Sequence, residues 1–425
     1  MKLLIQGGRV IDPASAFDRM ADVAIADGKI LAIGALPAGF APDQTVDATG
    51  CIVAPGLVDL SVRLGGGLAS ELAAAVAGGV TSVVCPPDTQ PVLDVPGLVE
   101  MLHYRSQQLN LARVFPLGAL TRKLEGEVLA EMVGLTEAGC VGFSQAEVPL
   151  ANTQVMQRAL QYASTFGFTV WLRPQELHLG KGVAASGPLA TRLGLSGVPV
   201  AAETIALHTI FELVRATKAR VHLCRISSAA GVELVRQAKA EGLPVTCDVS
   251  INSLHLTDLD IGFFDSRMRV TPVLRQQRDR DALRAALADG TIDALVSDHT
   301  PVDEDAKALP FAESESGATG LELLLSLTLK WAQDSGVNLS DALATITRRP
   351  AGVLGASVGA MAGQLGTLTA GAVADLCVFD AAAHWVVQPD ALRSQGKHTP
   401  FGGYELPGQV RATVVGGQLA FDSTS

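Results

Sequence analysis

The feature that most constrains the fold is an alternation of apolar runs and helical patterns through the middle of the chain. Val80–Cys85 and Thr169–Leu172 are typical of buried strands, whereas Thr153–Phe166 has the 3.6-residue periodicity of a helix. Strands that alternate with helices favour a parallel sheet covered by helices. We therefore predict an α/β fold in which residues 54–359 form a (β/α)8 barrel of the TIM type.

Both ends of the chain differ from this middle part, because short β-like runs are separated there by turns. Residues 22–25 precede the dipeptide Asp27-Gly28, which is typical of hairpin turns. Residues 371–380 resume the same pattern near the other end. We therefore predict that residues 1–53 and 360–425 together build a small β-sandwich domain beside the barrel.

Composition excludes several classes of function. The net charge of −11 argues against nonspecific nucleic-acid binding, and no uninterrupted apolar run of membrane-spanning length occurs in the 425 residues. The six cysteines are scattered without CxxC spacing, which favours reduced thiols in a cytoplasmic protein. A hydrophobic fraction of 48% is high, so we expect a large core or subunit contacts, including those of a homodimer.

Six short segments occur in a fixed order along the chain. They are Ala-Pro-Gly-Leu-Val-Asp (54–59), Ala-Gly-Gly-Val-Thr-Ser-Val-Val-Cys-Pro (77–86), residues 222–228 with 238–246, Ala-Leu-Val-Ser-Asp-His-Thr-Pro (294–301), Gly-Leu-Glu (320–322) and residues 371–380. In this order they resemble the amidohydrolase superfamily and, within it, the dihydroorotases. The resemblance covers the chain from end to end and implies the same barrel and β domain.

The resemblance implies a reaction that this chain is poorly equipped to perform. Active dihydroorotases close a cyclic amide reversibly with two zinc ions, while an aspartate moves the proton. Of the corresponding residues only Asp298 remains, and we expect it to be vestigial. Serine is a weak zinc ligand and arginine is a permanent cation, so we expect no zinc and no catalysis. The degenerate metal-ligand positions are Ser61, Arg63, Gln145, Arg173 and Arg225.

The positions that the resemblance assigns to substrate binding are altered as well. Gly65 stands where an arginine would hold the substrate carboxylate, and Asp88 replaces a neutral asparagine. Thr271 replaces a second asparagine, and Val302 replaces a histidine. An acid at position 88 would repel an anionic substrate, which strengthens the expectation of an inactive barrel.

A rearranged metal site is an open alternative. His178, His222 and His299 could combine with Asp298, although no two histidines of the chain are spaced by two or four residues. Histidines that make ordinary hydrogen bonds or lie on the surface explain the same pattern.

Two roles are open for Arg63, Arg173 and Arg225. They could pair with Asp298 and with nearby acids such as Glu176 and Asp88, because a buried carboxylate without a cation is costly. They could instead line a pocket for an anionic metabolite.

Three functions therefore follow from the sequence. The first is a non-catalytic subunit, because an inactive dihydroorotase-like chain of this family holds the aspartate carbamoyltransferase catalytic chains of some bacteria in a large assembly. The second is an altered cyclic amide hydrolase of dihydroorotase type. The third is a regulator that binds an anionic metabolite at the arginine-lined barrel mouth.

Overall fold

The computed structural model describes residues 2–423 and contains nineteen strands. Short 3-10 turns and loops connect them to the helices. In chain order the strands are β1 (Lys2–Asp12), β2 (Phe17–Ala26), β3 (Lys29–Ile33), β4 (Gln44–Asp47), β5 (Ile52–Pro55), β6 (Leu57–Asp59), β7 (Val80–Cys85), β8 (Arg113–Pro116), β9 (Gly118–Ala119), β10 (Phe143–Ser144), β11 (Thr169–Leu172), β12 (Ala184–Ala185), β13 (Gly197–Val198), β14 (Arg220–Leu223), β15 (Val245–Ser250), β16 (Ala294–Val296), β17 (Leu376–Val386), β18 (Glu405–Val415) and β19 (Gln418–Asp422).

Thirteen α-helices lie mostly between the strands of the middle segment. They are α1 (Leu68–Ala77), α2 (Pro96–Gln107), α3 (Met132–Glu137), α4 (Thr153–Phe166), α5 (Pro188–Leu193), α6 (Ala201–Thr217), α7 (Ala229–Ala240), α8 (Ile251–His255), α9 (Gln277–Asp289), α10 (Glu304–Lys307), α11 (Leu324–Ser335), α12 (Leu339–Ala344) and α13 (Arg348–Leu354).

The middle strands form the predicted parallel barrel. One ladder runs from β9 through β10, β11, β14 and β15 to β16, and another joins β6, β7 and β8. The Leu117 amide donates to the Cys85 carbonyl at 2.8 Å, which connects the two ladders on one side. A parallel bridge between Val62 and His299 closes the other side. All six residues of β7 are buried, as expected for a strand covered on both faces.

Local sequence explains why α4 has the predicted limits. The Asn152 side chain accepts hydrogen bonds from the backbone amides of Gln154 and Val155, which caps the first turn. The helix ends at Gly167, whose φ of 72° lies in the left-handed region that glycine adopts without strain. Its buried residues, among them Met156 and Leu160, face the barrel core.

The two ends of the chain meet in one eight-stranded sheet, so the small β domain is built from both termini. In this sheet β5 pairs with both β1 and β17, and it thereby joins N-terminal to C-terminal strands. Leu3, Val53 and Leu376 belong to its own apolar core, separate from the barrel core. The boundaries at residues 53 and 359 stay a prediction.

Two further sequence expectations bear on the surroundings of the protein. In the described part of the chain, none of the helices combines enough length with enough apolar character to span a bilayer. All six cysteine thiols are free, and four of them are buried.

Candidate functional site

The ends of five barrel strands bring five charged residues together at one mouth of the barrel. Arg63 follows β6, Arg173 follows β11 and Arg225 follows β14, while Glu147 follows β10 and Asp298 follows β16. In a (β/α)8 barrel the loops after the strands build the functional face. Four of the sequence candidates, Arg63, Arg173, Arg225 and Asp298, therefore lie at this face.

Glu147 is the centre of this group, although it is not among the residues that the sequence predicted for the site. Its Oε1 lies 2.9 Å from Arg63 Nη2, and its Oε2 lies 2.5 Å from Arg173 Nε. Arg225 Nη2 also donates to Glu147 Oε1. One carboxylate thus contacts three guanidiniums, and we call these four residues the Glu147 cluster.

Two more carboxylates balance the charge of the Glu147 cluster. Arg63 Nε donates to Asp88 Oδ2 at 3.0 Å, and Arg225 Nη1 donates to Asp298 Oδ1 at 2.9 Å. Three cations therefore meet three anions, and the expected pairing with Asp88 and Asp298 is present. The expected pairing with Glu176 was wrong, because its Oε2 accepts the backbone amides of His178 and Leu179 instead.

The electrostatics show that Glu147 is held as an anion. Burial alone would raise its pKa, but the guanidiniums of Arg225, Arg173 and Arg63 outweigh burial and hold the pKa well below its usual value. Burial raises the pKa of Asp298, and Arg225 offsets only part of that effect.

Gln145 and Ser61 lie beside the Glu147 cluster without joining it. The Gln145 amide is buried, accepting from Thr121 Oγ1 at 2.9 Å and donating to the Leu124 carbonyl at 2.8 Å. Ser61 contributes its backbone, since its carbonyl accepts the His299 amide where the barrel closes. Within residues 2–423, neither side chain forms a hydrogen bond with Glu147.

The altered substrate positions are spread around the same mouth. Thr271 bonds through its hydroxyl to Ser316 Oγ at 2.7 Å, and Val302 is buried. Gly65 has a φ of 49° in the loop after β6, where an added Cβ would lie 3.4 Å from Pro301. Asp88 contacts the Glu147 cluster through its side chain, whereas Thr271 does so only through its backbone carbonyl, which accepts from Arg225 Nη1 at 3.4 Å.

The alternative metal site does not assemble as the sequence allowed. His299 Nε2 lies 2.7 Å from Glu71 Oε2, and its Nδ1 accepts the Gly320 amide. His222 instead bonds to Asp248 Oδ2 at 2.9 Å and to a threonine hydroxyl. His178 is exposed, so the three histidines lie in three separate environments and do not form one metal site.

Another group of possible ligands does occur within residues 2–423. One nitrogen of His222, the Cys224 sulfur and an oxygen of Asp248 lie within 4.8 Å of one another. Burial raises the pKa of the Cys224 thiol well above its usual value, whereas a metal requires the thiolate. Asp248 Oδ1 is also occupied, because it accepts the Arg225 amide at 2.6 Å.

The donor set at the mouth does not suit the two zinc ions that the fold class implies. Guanidinium nitrogens carry a permanent positive charge and offer no lone pair to a cation. The carboxylates of Glu147 and Asp298 are already bonded to these groups. These side chains therefore do not form a binding site for the two zinc ions.

Comparison with known proteins shows the class. A family model described as the amidohydrolase family matches residues 103–421, and the chain belongs to that family. It is similar to a dihydroorotase-like protein of Pseudomonas aeruginosa, at 44% identity over 99% of this chain and 100% of that protein. It is also similar to a dihydroorotase of Geobacter sp., at 39% identity over 100% of both chains.

Solved structures share the architecture. L-hydantoinase from Arthrobacter aurescens matches with a TM-score of 0.86 at 24% identity, over 99% of this chain and 96% of that one. Dihydropyrimidinase from Brevibacillus agri matches with a TM-score of 0.84 at 20% identity, over 100% and 96%. These matches confirm the predicted fold class, a barrel with a β domain.

Proposed function

We propose that this chain is a catalytically inactive dihydroorotase homologue that serves as the non-catalytic subunit of an aspartate carbamoyltransferase complex in pyrimidine biosynthesis. The observation that carries the proposal is the Glu147 cluster. Arg63, Arg173 and Arg225 surround one carboxylate at the barrel mouth, where the family's chemistry needs metal-bound water.

We infer the loss of activity from the positive charge of the arginines at the mouth and from the ion pairs that these arginines already form. Amide hydrolysis near neutral pH needs hydroxide, which zinc supplies by lowering the pKa of bound water. The cations at this mouth are side chains that hold carboxylates and cannot bind hydroxide as a ligand. Asp298, the one acid retained, bonds to Arg225, so its oxygen is engaged in an ion pair.

The subunit role is supported by relatives and by the surface. The relatives at 44% and 43% identity are named dihydroorotase-like, whereas those at 37–39% are named dihydroorotase. The segment after α8 exposes Leu259 and Phe263, the latter to 90%. Exposed apolar side chains in one segment are typical of a surface that a partner covers. We propose contacts with the carbamoyltransferase catalytic chain and with a second copy of this chain.

The subunit role is tested by isolating the complex from cells. The tagged full-length chain is expressed in its native host, and captured proteins are identified by mass spectrometry, followed by the native mass of the complex. We expect carbamoyltransferase to be captured with this chain in a fixed ratio, and we expect its activity to fall when this chain is deleted. A chain that purifies alone, with full carbamoyltransferase activity in the deletion strain, contradicts the subunit role.

An altered cyclic amide hydrolase is the second candidate, because relatives named dihydroorotase cover the whole chain and Asp298 is retained. Elemental analysis of the purified chain separates the two functions. We expect zinc far below one ion per chain, and stoichiometric zinc would favour the hydrolase.

A further inference from the structure

A cavity beside the Glu147 cluster is lined by an excess of positively charged side chains. Its volume is about 340 Å³, and five basic but only two acidic side chains line it. The basic residues are Arg173, Lys181, Arg225, Arg269 and Arg275. We call it the cationic cavity.

Both acidic side chains of the cationic cavity are already bound to other groups. Glu147 is bound by the arginines of its cluster. Glu203 accepts from the amide and hydroxyl of Ser227 through Oε2 and from those of Ser228 through Oε1. Arg173 and Arg225 therefore have their counter-charge in Glu147, whereas the other three basic residues receive none from these acids.

Of these three cations, Lys181 is exposed to water, whereas Arg275 is buried and Arg269 is partly buried. Arg275 is 6% exposed, and within residues 2–423 its guanidinium donates hydrogen bonds only to Ser227 Oγ at 2.8 Å and to the Val198 carbonyl at 3.4 Å. The Arg269 guanidinium forms neither a hydrogen bond nor an ion pair with any residue in the range 2–423, and burial lowers its pKa. Desolvated cations without counter-charge cost free energy, and an anion between them would offset that cost.

A neighbouring cavity provides the contrast. It has a volume of about 260 Å³ and includes the altered substrate positions Asp88 and Thr271. Asp298 and Glu315 line it together with Asp88 and Glu147, so acids outnumber its two arginines. Its charge disfavours an anion, whereas the cationic cavity, which shares Glu147, Arg225 and Thr271 with it, has an excess of basic side chains.

We propose that the cationic cavity binds a small oxyanion, a metabolite carrying phosphate or carboxylate groups, between Arg269 and Arg275. Planar guanidiniums bind both kinds of group bidentately. A volume of this size suits a small metabolite. The sequence suggested Arg63, Arg173 and Arg225 as the anion ligands, but these arginines are paired with carboxylates, so we assign the anion to Arg269 and Arg275 in the cavity that Arg173 and Arg225 also line. This assignment also stands independently of any protein partner.

The test is calorimetric titration of the full-length chain, without carbamoyltransferase, with inorganic phosphate, pyrophosphate and succinate at matched ionic strength. We expect saturable binding of at least one probe. The Arg269→Gln variant should weaken it about tenfold or more, as the loss of one charge-assisted contact implies. Arg278→Gln is the matched control, because it removes the same charge from a side chain that is 76% exposed.

The probes identify the ligand class, and the variants decide the proposal. Tighter binding of phosphate or pyrophosphate would assign a phosphorylated ligand, and tighter binding of succinate a dicarboxylate. Arg269→Lys keeps the charge and should have an intermediate affinity, which separates recognition from a folding defect. Binding that does not saturate, or that Arg269→Gln and Arg278→Gln change equally, would overturn the site. Because no partner is present, this result is independent of the assembly test.

Discussion

Arg225 Nη1 lies 2.9 Å from Asp298 Oδ1, and this ion pair connects the ends of β14 and β16 across the barrel mouth. Both residues have left-handed backbone, with φ values of 56° and 53°. This conformation is uncommon for residues other than glycine, and it persists where the surroundings fix it. The one acid that the family resemblance assigns to proton transfer is thus fixed as the partner of a cation.

Removal of the central carboxylate should destabilise the fold. Glu147→Gln leaves three largely buried guanidiniums with only Asp88 and Asp298 as counter-ions. We expect the free energy of unfolding in urea to fall by about 2 kcal/mol, which is less than for a fully buried ion pair because the Glu147 side chain is 31% exposed. Glu212→Gln is the matched control, because Glu212 is 74% exposed and pairs with Arg215 on the surface. It should change stability by about 0.5 kcal/mol or less. Equal effects of the two substitutions would show that the Glu147 cluster contributes little.

The stabilisation by Glu147 should depend on pH in one direction. Its pKa is lowered in the folded state from an ordinary value of about 4.5, because the guanidiniums outweigh burial. The contribution is therefore complete above pH 4.5 and is lost as the pH falls, since the unfolded chain then takes up the proton first.

Urea unfolding of wild type and Glu147→Gln at several pH values measures this dependence. We expect the difference in unfolding free energy to be constant from about pH 7 to about pH 5.5 and then to shrink by up to about 1.4 kcal/mol per pH unit below pH 4.5. A difference that grows on acidification would contradict an ionised Glu147 in the folded protein.

Much of the fold and part of this site follow from the sequence, because both depend on local patterns. Apolar runs such as Val80–Cys85 fix the strands, and the residue after each strand then lies at the barrel mouth. The expectation that the arginines at the mouth pair with Asp88 and Asp298 follows from that placement, whereas the assignment of each arginine to its acid does not.

The role of Glu147 could not be derived in this way. It lies beyond the end of β10, and the path of the loop decides that Glu147, rather than Gln145, reaches the arginines. The available signal was chemical, because Glu147 is the one acid in residues 143–152. The unpaired state of Arg269 and Arg275 depends on distant segments of the chain, so no local pattern reveals it.

If the segment after α8 is the partner surface, a substitution there should weaken assembly without destabilising the fold. Phe263→Ser removes an aromatic side chain that is 90% exposed, so folding stability should change by about 0.5 kcal/mol or less. Capture of carbamoyltransferase should fall about tenfold, since exposed aromatics commonly dominate binding energy. Tyr104→Ser is the control, with 65% exposure in α2. Unchanged capture by the Phe263 variant would exclude this segment from the interface.

Turnover tests the central claim most directly. Initial rates are measured for dihydroorotate hydrolysis and for the reverse cyclisation, with the purified full-length chain and added zinc, beside the Asp298→Asn variant. We predict that both proteins give the same background rate, because the arginines around Glu147 occupy the mouth. A zinc-dependent rate in the wild type that disappears in Asp298→Asn would contradict the account.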